Sequence, residues 1–270
     1  TLSYNYSRTK FRGQNEGTNG PLILSGYSNS NSIAIDRTLL NNTEYRISTN
    51  LSLTASETAS YLNDSKIETS ERKLTTGSLS FAISKYFKNG ATFYLKPQYL
   101  RGLKLLNAKK DEQGLTSDIP RAQFQLYKIY ASISKRFQIP KINAPITLST
   151  EIDSQISKDT LFGSKQFSVG GYYSVRGFRE NNISGDHGYH LRHKVNFNLG
   201  QILAPILIKK EGDKDNFISK NSYHLYKVTI EPFYDYGYAK TKYNGDSGRL
   251  SGAGLKTIFI NKYFDASLTY

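Results

Sequence analysis

Polar and apolar residues alternate along almost the whole chain, and this period of two constrains the fold more than any other feature. In "HLRHKVNFNL", Leu191, Val195, Phe197 and Leu199 are apolar, whereas Arg192, Lys194, Asn196 and Asn198 are polar. "PITLSTEIDSQ" sets Ile146, Leu148 and Ile152 against Thr147, Ser149, Glu151 and Asp153. "YKVTIEPFYDYGY" has Tyr226, Val228, Ile230, Tyr234, Tyr236 and Tyr238 in one phase, and Lys227, Thr229, Glu231 and Asp235 in the other. The same rhythm runs through "ISTNLSL" from Ile47, "LSFAIS" from Leu79, "TFYLKPQYL" from Thr92 and "FDASLTY" at the end. Side chains along a strand point alternately to its two faces, so this pattern predicts a half-buried antiparallel sheet of about eleven strands.

Connector lengths say where such a sheet belongs. Tight turns such as Lys88-Asn89-Gly90 alternate with long polar stretches over residues 60–73 and 107–121. Short turns on one side and long loops on the other are the layout of an outer-membrane barrel; a soluble sandwich is the alternative on periodicity alone. Two features favour the membrane. The apolar phase is dense in tyrosine, phenylalanine and leucine, and the opposite phase carries charges suited to a wet lumen. Lys85, in the phase of Phe81, Ile83 and Phe87, lies beside the 88–90 turn, where its ammonium can snorkel to the headgroups. Mean hydropathy is −0.53, and no run approaches the roughly 18 apolar residues of a membrane helix. A helical membrane protein is excluded; a strand-crossing one is not. The 21 tyrosines suit a membrane interface. The net charge of +14 is spread along the chain without a basic block, which argues against nucleic acid as partner. With no cysteine there are neither disulfides nor thiolate metal sites.

Candidate chemistry is thin. "GDSG", residues 245–248, has the letters of a serine-protease nucleophile turn, but a triad also needs a base oriented by a carboxylate, and the tetrapeptide sits in a polar loop between two strands with none of that family's surrounding motifs; it reads as a plain turn. The histidines are His187, His190, His193 and His224. His190 and His193 are three apart and point to opposite faces of a strand, so they cannot share a metal; solvated or interfacial roles are expected. Glu151 and Asp153 share a face and read as solvated pore charges. No enzyme, cofactor or metal site is expected.

One stretch breaks the rhythm. In "GGYYSVRGFRENN", residues 170–182, two glycines, two tyrosines and an arginine stand where no buried strand tolerates them. Glycines let the backbone turn tightly against a wall, and an arginine inside a lumen seeks a carboxylate. The longer "LFGSKQFSVGGYYSVRGF", residues 161–178, resembles the sixth extracellular loop of two-partner secretion transporters, of the haemolysin-activator type. Gly170, Gly171 and the run Ser174, Val175, Arg176, Gly177, Phe178 match a pattern shared across the wider superfamily of outer-membrane barrels that follow POTRA domains. Phe233, Asp235 and Gly237 match that superfamily's later strand motif.

The resemblance covers the whole chain and implies a C-terminal transmembrane β-barrel domain over residues 1–270. It implies about sixteen strands, with the first strands, the last strand and the POTRA domains outside this sequence. Gly170 and Gly171 would hinge a loop folded into the lumen. Val175, Arg176, Gly177 and Phe178 would form its tip, docked on the strand of Phe233, Asp235 and Gly237, with Arg176 paired to Asp235. Glu231, two positions away on the same face, is the competing partner. The implied function is export of a large haemolysin- or adhesin-like exoprotein by a monomeric barrel in the outer membrane of a Gram-negative bacterium, against outer-membrane lipid. A barrel-assembly protein and a passive porin are the alternatives.

Overall fold

The computed structural model describes residues 1–17, 20–67, 70–139, 144–199, 228–260 and 265–270. Its strands are β1 (Leu2–Gly17), β2 (Gly20–Asn41), β3 (Tyr45–Leu62), β4 (Ser65–Lys66), β5 (Arg72–Tyr86), β6 (Ala91–Leu103) and β7 (Gln125–Ile139). They continue with β8 (Ala144–Ser157), β9 (Phe167–Val169), β10 (Ile183–Gly185), β11 (His187–Asn198), β12 (Val228–Lys240), β13 (Ser247–Ile260) and β14 (Asp265–Thr269). Among the described residues, β1, β2, β3, β5, β6, β7, β8, β11, β12, β13 and β14 form one antiparallel path of eleven strands, with β4 added to β3. The two ends of that path are not joined, so the sheet is not closed. β9 and β10 form a separate two-stranded hairpin.

The turns have local causes. Between β2 and β3 the Asn42 side-chain oxygen accepts the N–H groups of Glu44 and Tyr45, at 3.0 and 2.7 Å, closing the chain in three residues. Between β5 and β6 Gly90 adopts φ +78°, and the Asn89 side chain accepts the Ala91 N–H. At the opposite end residues 104–124 and 158–186 form the long connections. The link between β11 and β12 lies outside the described residues, as do His224, Tyr226 and Lys227.

Register turns alternation into two chemically distinct faces. Asp235 lies opposite Arg192, Arg192 opposite Glu151, and Glu151 opposite Ser132, so one row of polar side chains crosses four strands at one height. The other face carries Leu51, Leu79, Phe81, Ile129, Ile133, Phe137 and Leu148, all exposed. An apolar surface of that extent, continuous across neighbouring strands, requires a non-aqueous environment. No helix among the described residues is long and apolar enough to cross a membrane; crossing falls to the strands. β11 has 12 residues, about 40 Å of extended chain at roughly 3.3 Å per residue, enough for a tilted span of the hydrocarbon layer. Lys85 behaves as its position suggests: its ammonium lies 5.1 Å from the Tyr45 ring centre and 4.8 Å from that of Phe87, at the short-turn end.

Buried apolar residues gather where loops meet the inner face. Phe167, Val169, Val175 and Ala239, with Ile183 and Leu250 packed against them, lie between the 158–186 loop and the wall. Phe124, Leu126 and Leu161 form a second cluster beside Leu100. The two-faced wall yields a direct test. Cysteines placed singly at residues 194 and 196, clear of the docked loop, should react with a membrane-impermeant thiol reagent from the lumen, and those at 191, 195 and 197 should not. Equal labelling of both sets would mean a soluble sheet.

Candidate functional site: the loop and its socket on the barrel wall

The site begins at the hairpin of β9 and β10, which holds the two arms of the loop together through Phe167–Gly185, Ser168–Ser184 and Val169–Ile183 pairing. Beyond it the chain reverses at Gly170 and Gly171, with φ of +114° and +95°. A side chain at Gly170 would overlap the Arg179 carbonyl, so close approach as well as dihedral angle demands glycine there, whereas at Gly171 the positive φ is the reason. The Ser174 hydroxyl accepts the Gly170 N–H and donates to the Gly170 carbonyl, both at 2.8 Å. Glu180 accepts the Tyr172 N–H at 3.0 Å. These bonds present Val175 and Arg176 to the wall.

Val175 is fully buried above Gly237, where any side chain would overlap Val169 and Val175. Arg176 is 3% exposed and Asp235 0%. The guanidinium donates from Nε to Asp235 Oδ2 at 2.6 Å and from Nη2 to Oδ1 at 2.8 Å, a bidentate pair, and the Arg176 backbone N–H adds a third bond to Oδ2 at 3.1 Å. Nη1 donates to Glu231 Oε1 at 3.2 Å, so the two candidate acids share the arginine. The guanidinium carbon lies 3.5 Å from the centre of the Phe233 ring, a stacked cation–π contact. Burial disfavours the arginine's charge, but the bonds and charges of Asp235 and Glu231 outweigh it and raise its pKa, so it remains a cation. Gly252 on β13 supplies the clearance: a side chain there would overlap the Arg176 carbonyl.

The structure therefore brings Val175 and Arg176 onto Phe233, Asp235 and Gly237. Gly177, at φ +92°, turns the chain, and Phe178, 37% exposed, lines a cavity at the rim of the socket with Arg176, Phe233 and Gly252. Three further residues complete the arrangement without having stood out in the sequence. Asp186, fully buried, accepts the Leu161 N–H at 2.8 Å and the Lys242 N–H at 2.7 Å, tying both feet of the loop to the turn between β12 and β13. Arg192 donates to Glu151 at 2.8 Å and lies 3.7 Å from Asp235. Gly252 belongs to a run of small inner-face positions, Gly248, Gly252 and Gly254, whose spacing was the one available clue. Two expectations need correction. Glu151 is no free pore charge, since it accepts from both Arg192 and the Tyr130 hydroxyl, at 2.8 and 3.0 Å. His190 is buried against Phe167, with ring centres 5.7 Å apart, because the loop covers the wall at its height. The "GDSG" letters close the β12–β13 turn, where the Thr241 N–H donates to the Asp246 carbonyl at 2.8 Å, and Ser247 begins β13.

A wall of membrane-length antiparallel strands, with an arginine loop clamped into acids on its polar face, defines an outer-membrane barrel whose lumen holds its own loop. The chain belongs to the family of haemolysin secretion/activation proteins ShlB/FhaC/HecB, whose pattern matches residues 1–257. It is 31% identical over 207 residues to the outer membrane transporter CdiB of Dickeya dadantii (strain 3937), an alignment covering 76% of this chain and 35% of that protein. It is 29% identical over 150 residues to the hemolysin transporter protein ShlB of Serratia marcescens, covering 55% and 26%. The chain thus spans about a third or less of the length of these curated relatives. The fold matches CdiB from Escherichia coli with a TM-score of 0.77 at 22% identity, over 99% of this chain and 45% of that one. It matches CdiB from Acinetobacter baumannii with a TM-score of 0.73 at 19% identity, over 98% and 42%.

Proposed function

We propose that this chain forms the wall and lumen loop of an outer-membrane transporter that exports one large protein partner by two-partner secretion in a Gram-negative bacterium. The observation that carries the reading is the Arg176–Asp235–Glu231 cluster, which holds a loop against the lumen face where a passenger must pass. Membership of the ShlB/FhaC/HecB family and the transporter names of its relatives support it. Closure to about sixteen strands, POTRA domains upstream and a haemolysin- or adhesin-type passenger belong to the same reading. So does a monomeric barrel that guides passage without catalysing a reaction.

The polar inner face suits an extended polypeptide, whose backbone groups need partners throughout transit. Withdrawal of the loop clears the path, and its return reseals it. Deleting the full gene should stop a single exoprotein from reaching the culture medium while leaving the other outer-membrane barrels at normal abundance. A general fall in barrel proteins would instead indicate an assembly role, and loss of small-solute uptake with secretion intact would indicate a porin.

A further inference from the structure

The acids that bind Arg176 each face a second cation on the barrel wall, and neither cation donates a hydrogen bond to its acid while the loop is docked. Arg192 stands directly opposite Asp235 in the β11–β12 register. Its Nη1 is committed to Glu151, but its Nε is buried with no hydrogen-bond partner, 3.7 Å from Asp235 Oδ1. A buried donor left unmade is costly, and an unfilled one aimed at a carboxylate calls for an account. Lys256 stands opposite Glu231 in the β12–β13 register. Its ammonium is instead held by the loop, bonded to the Tyr172 hydroxyl and 4.9 Å from the centre of that ring.

We propose that Arg192 and Lys256 are positioning residues that receive Asp235 and Glu231 when the loop leaves the lumen, so that release exchanges the loop's arginine for cations of the wall. This rests on the loop acting as a gate, as proposed above. Withdrawal of Arg176 strips Asp235 of three donors at once. A shift of about an ångström in either side chain brings Arg192 Nε into bonding range of the vacated oxygen. The same withdrawal removes Tyr172 and frees Lys256 to turn to Glu231. Without these substitutes a desolvated carboxylate would be left unpaired, and the docked state would be too favourable to open. Glu151 sets the balance, because it competes with Asp235 for Arg192.

The exchange makes Arg192 act in the opposite sense to Arg176, which no merely structural role does. Full-length protein in planar lipid bilayers would be recorded for the fraction of time spent in the large-conductance state. Arg176→Ala should raise that fraction. Arg192→Gln should lower it by about tenfold, the worth of one charge-assisted hydrogen bond lost only in the open state. Glu151→Gln, which leaves Arg192 free for Asp235, should raise it, and Arg192→Lys should restore most of the parental value. Heat-modifiable gel mobility identifies variants that have folded, and Glu151→Gln stands in if Arg192→Gln has not. If Arg176→Ala raises the open fraction and Arg192→Gln raises it too, or leaves it unchanged, the exchange is overturned while the gate survives. If Arg176→Ala has no effect, the gate reading itself falls.

Discussion

Arg176→Ala and Asp235→Ala should each give a barrel that inserts normally into the outer membrane yet secretes its partner at least about tenfold less than the parent, measured as exoprotein in the medium per cell. The pair is desolvated, with exposures of 3% and 0%, so removing one partner costs about 3–5 kcal/mol, whereas a solvated pair contributes about 0–1 kcal/mol. At about 1.4 kcal/mol per decade, that shifts the docked loop toward undocked conformations by a hundredfold or more. The wall does not depend on the pair, because the strand that carries Asp235 is held to β11 over most of its length and to β13 over all of it. The double alanine variant should be no worse than either single one, since both remove the same contact. A charge swap, Arg176→Asp with Asp235→Arg, should recover little. Arginine at position 235 would face Arg192, and aspartate at 176 would face Glu231. Additive loss in the double alanine variant would show that the two residues act separately.

Removing the loop tip should have the second large effect. The cut follows from the structure: Val169 pairs with Ile183, so residues 171–182 can be replaced by a short glycine linker that leaves the hairpin and the Asp186 anchor in place. The variant should show a stepwise increase in single-channel conductance, because the segment occupies lumen volume, together with loss of controlled secretion. On intact cells the parental protein should resist trypsin at Arg176 while being cut in the 104–124 connection, where Lys104, Lys109 and Lys110 are exposed. Cleavage at Arg176 from outside, or unchanged conductance after excision, would place the loop outside the lumen.

Much of this was legible along the chain because strand geometry is a local property. Alternation at Leu191 to Asn198 and Ile146 to Asp153 assigns faces without knowledge of partners, since successive side chains must point opposite ways. Eleven strands were expected, and eleven lie in the described path. The loop announced itself through Gly170, Gly171 and Arg176, residue types a strand does not accommodate, and family resemblance directed Arg176 to Asp235. What pattern cannot carry is register, because it depends on how far each strand slides against its neighbour. Only register sets Arg192 beside both Asp235 and Glu151, turning supposed pore charges into one connected row. Only the loop's depth buries His190 and makes Gly237 and Gly252 necessary as empty space. Asp186 gives no sign of itself in sequence, because its partners are backbone N–H groups at Leu161 and Lys242, 25 and 56 residues away. Period and composition suffice for the wall and its two faces; which charges on the inner face meet follows from the fold alone, because ionic contacts form across strands at separations that neither of them encodes.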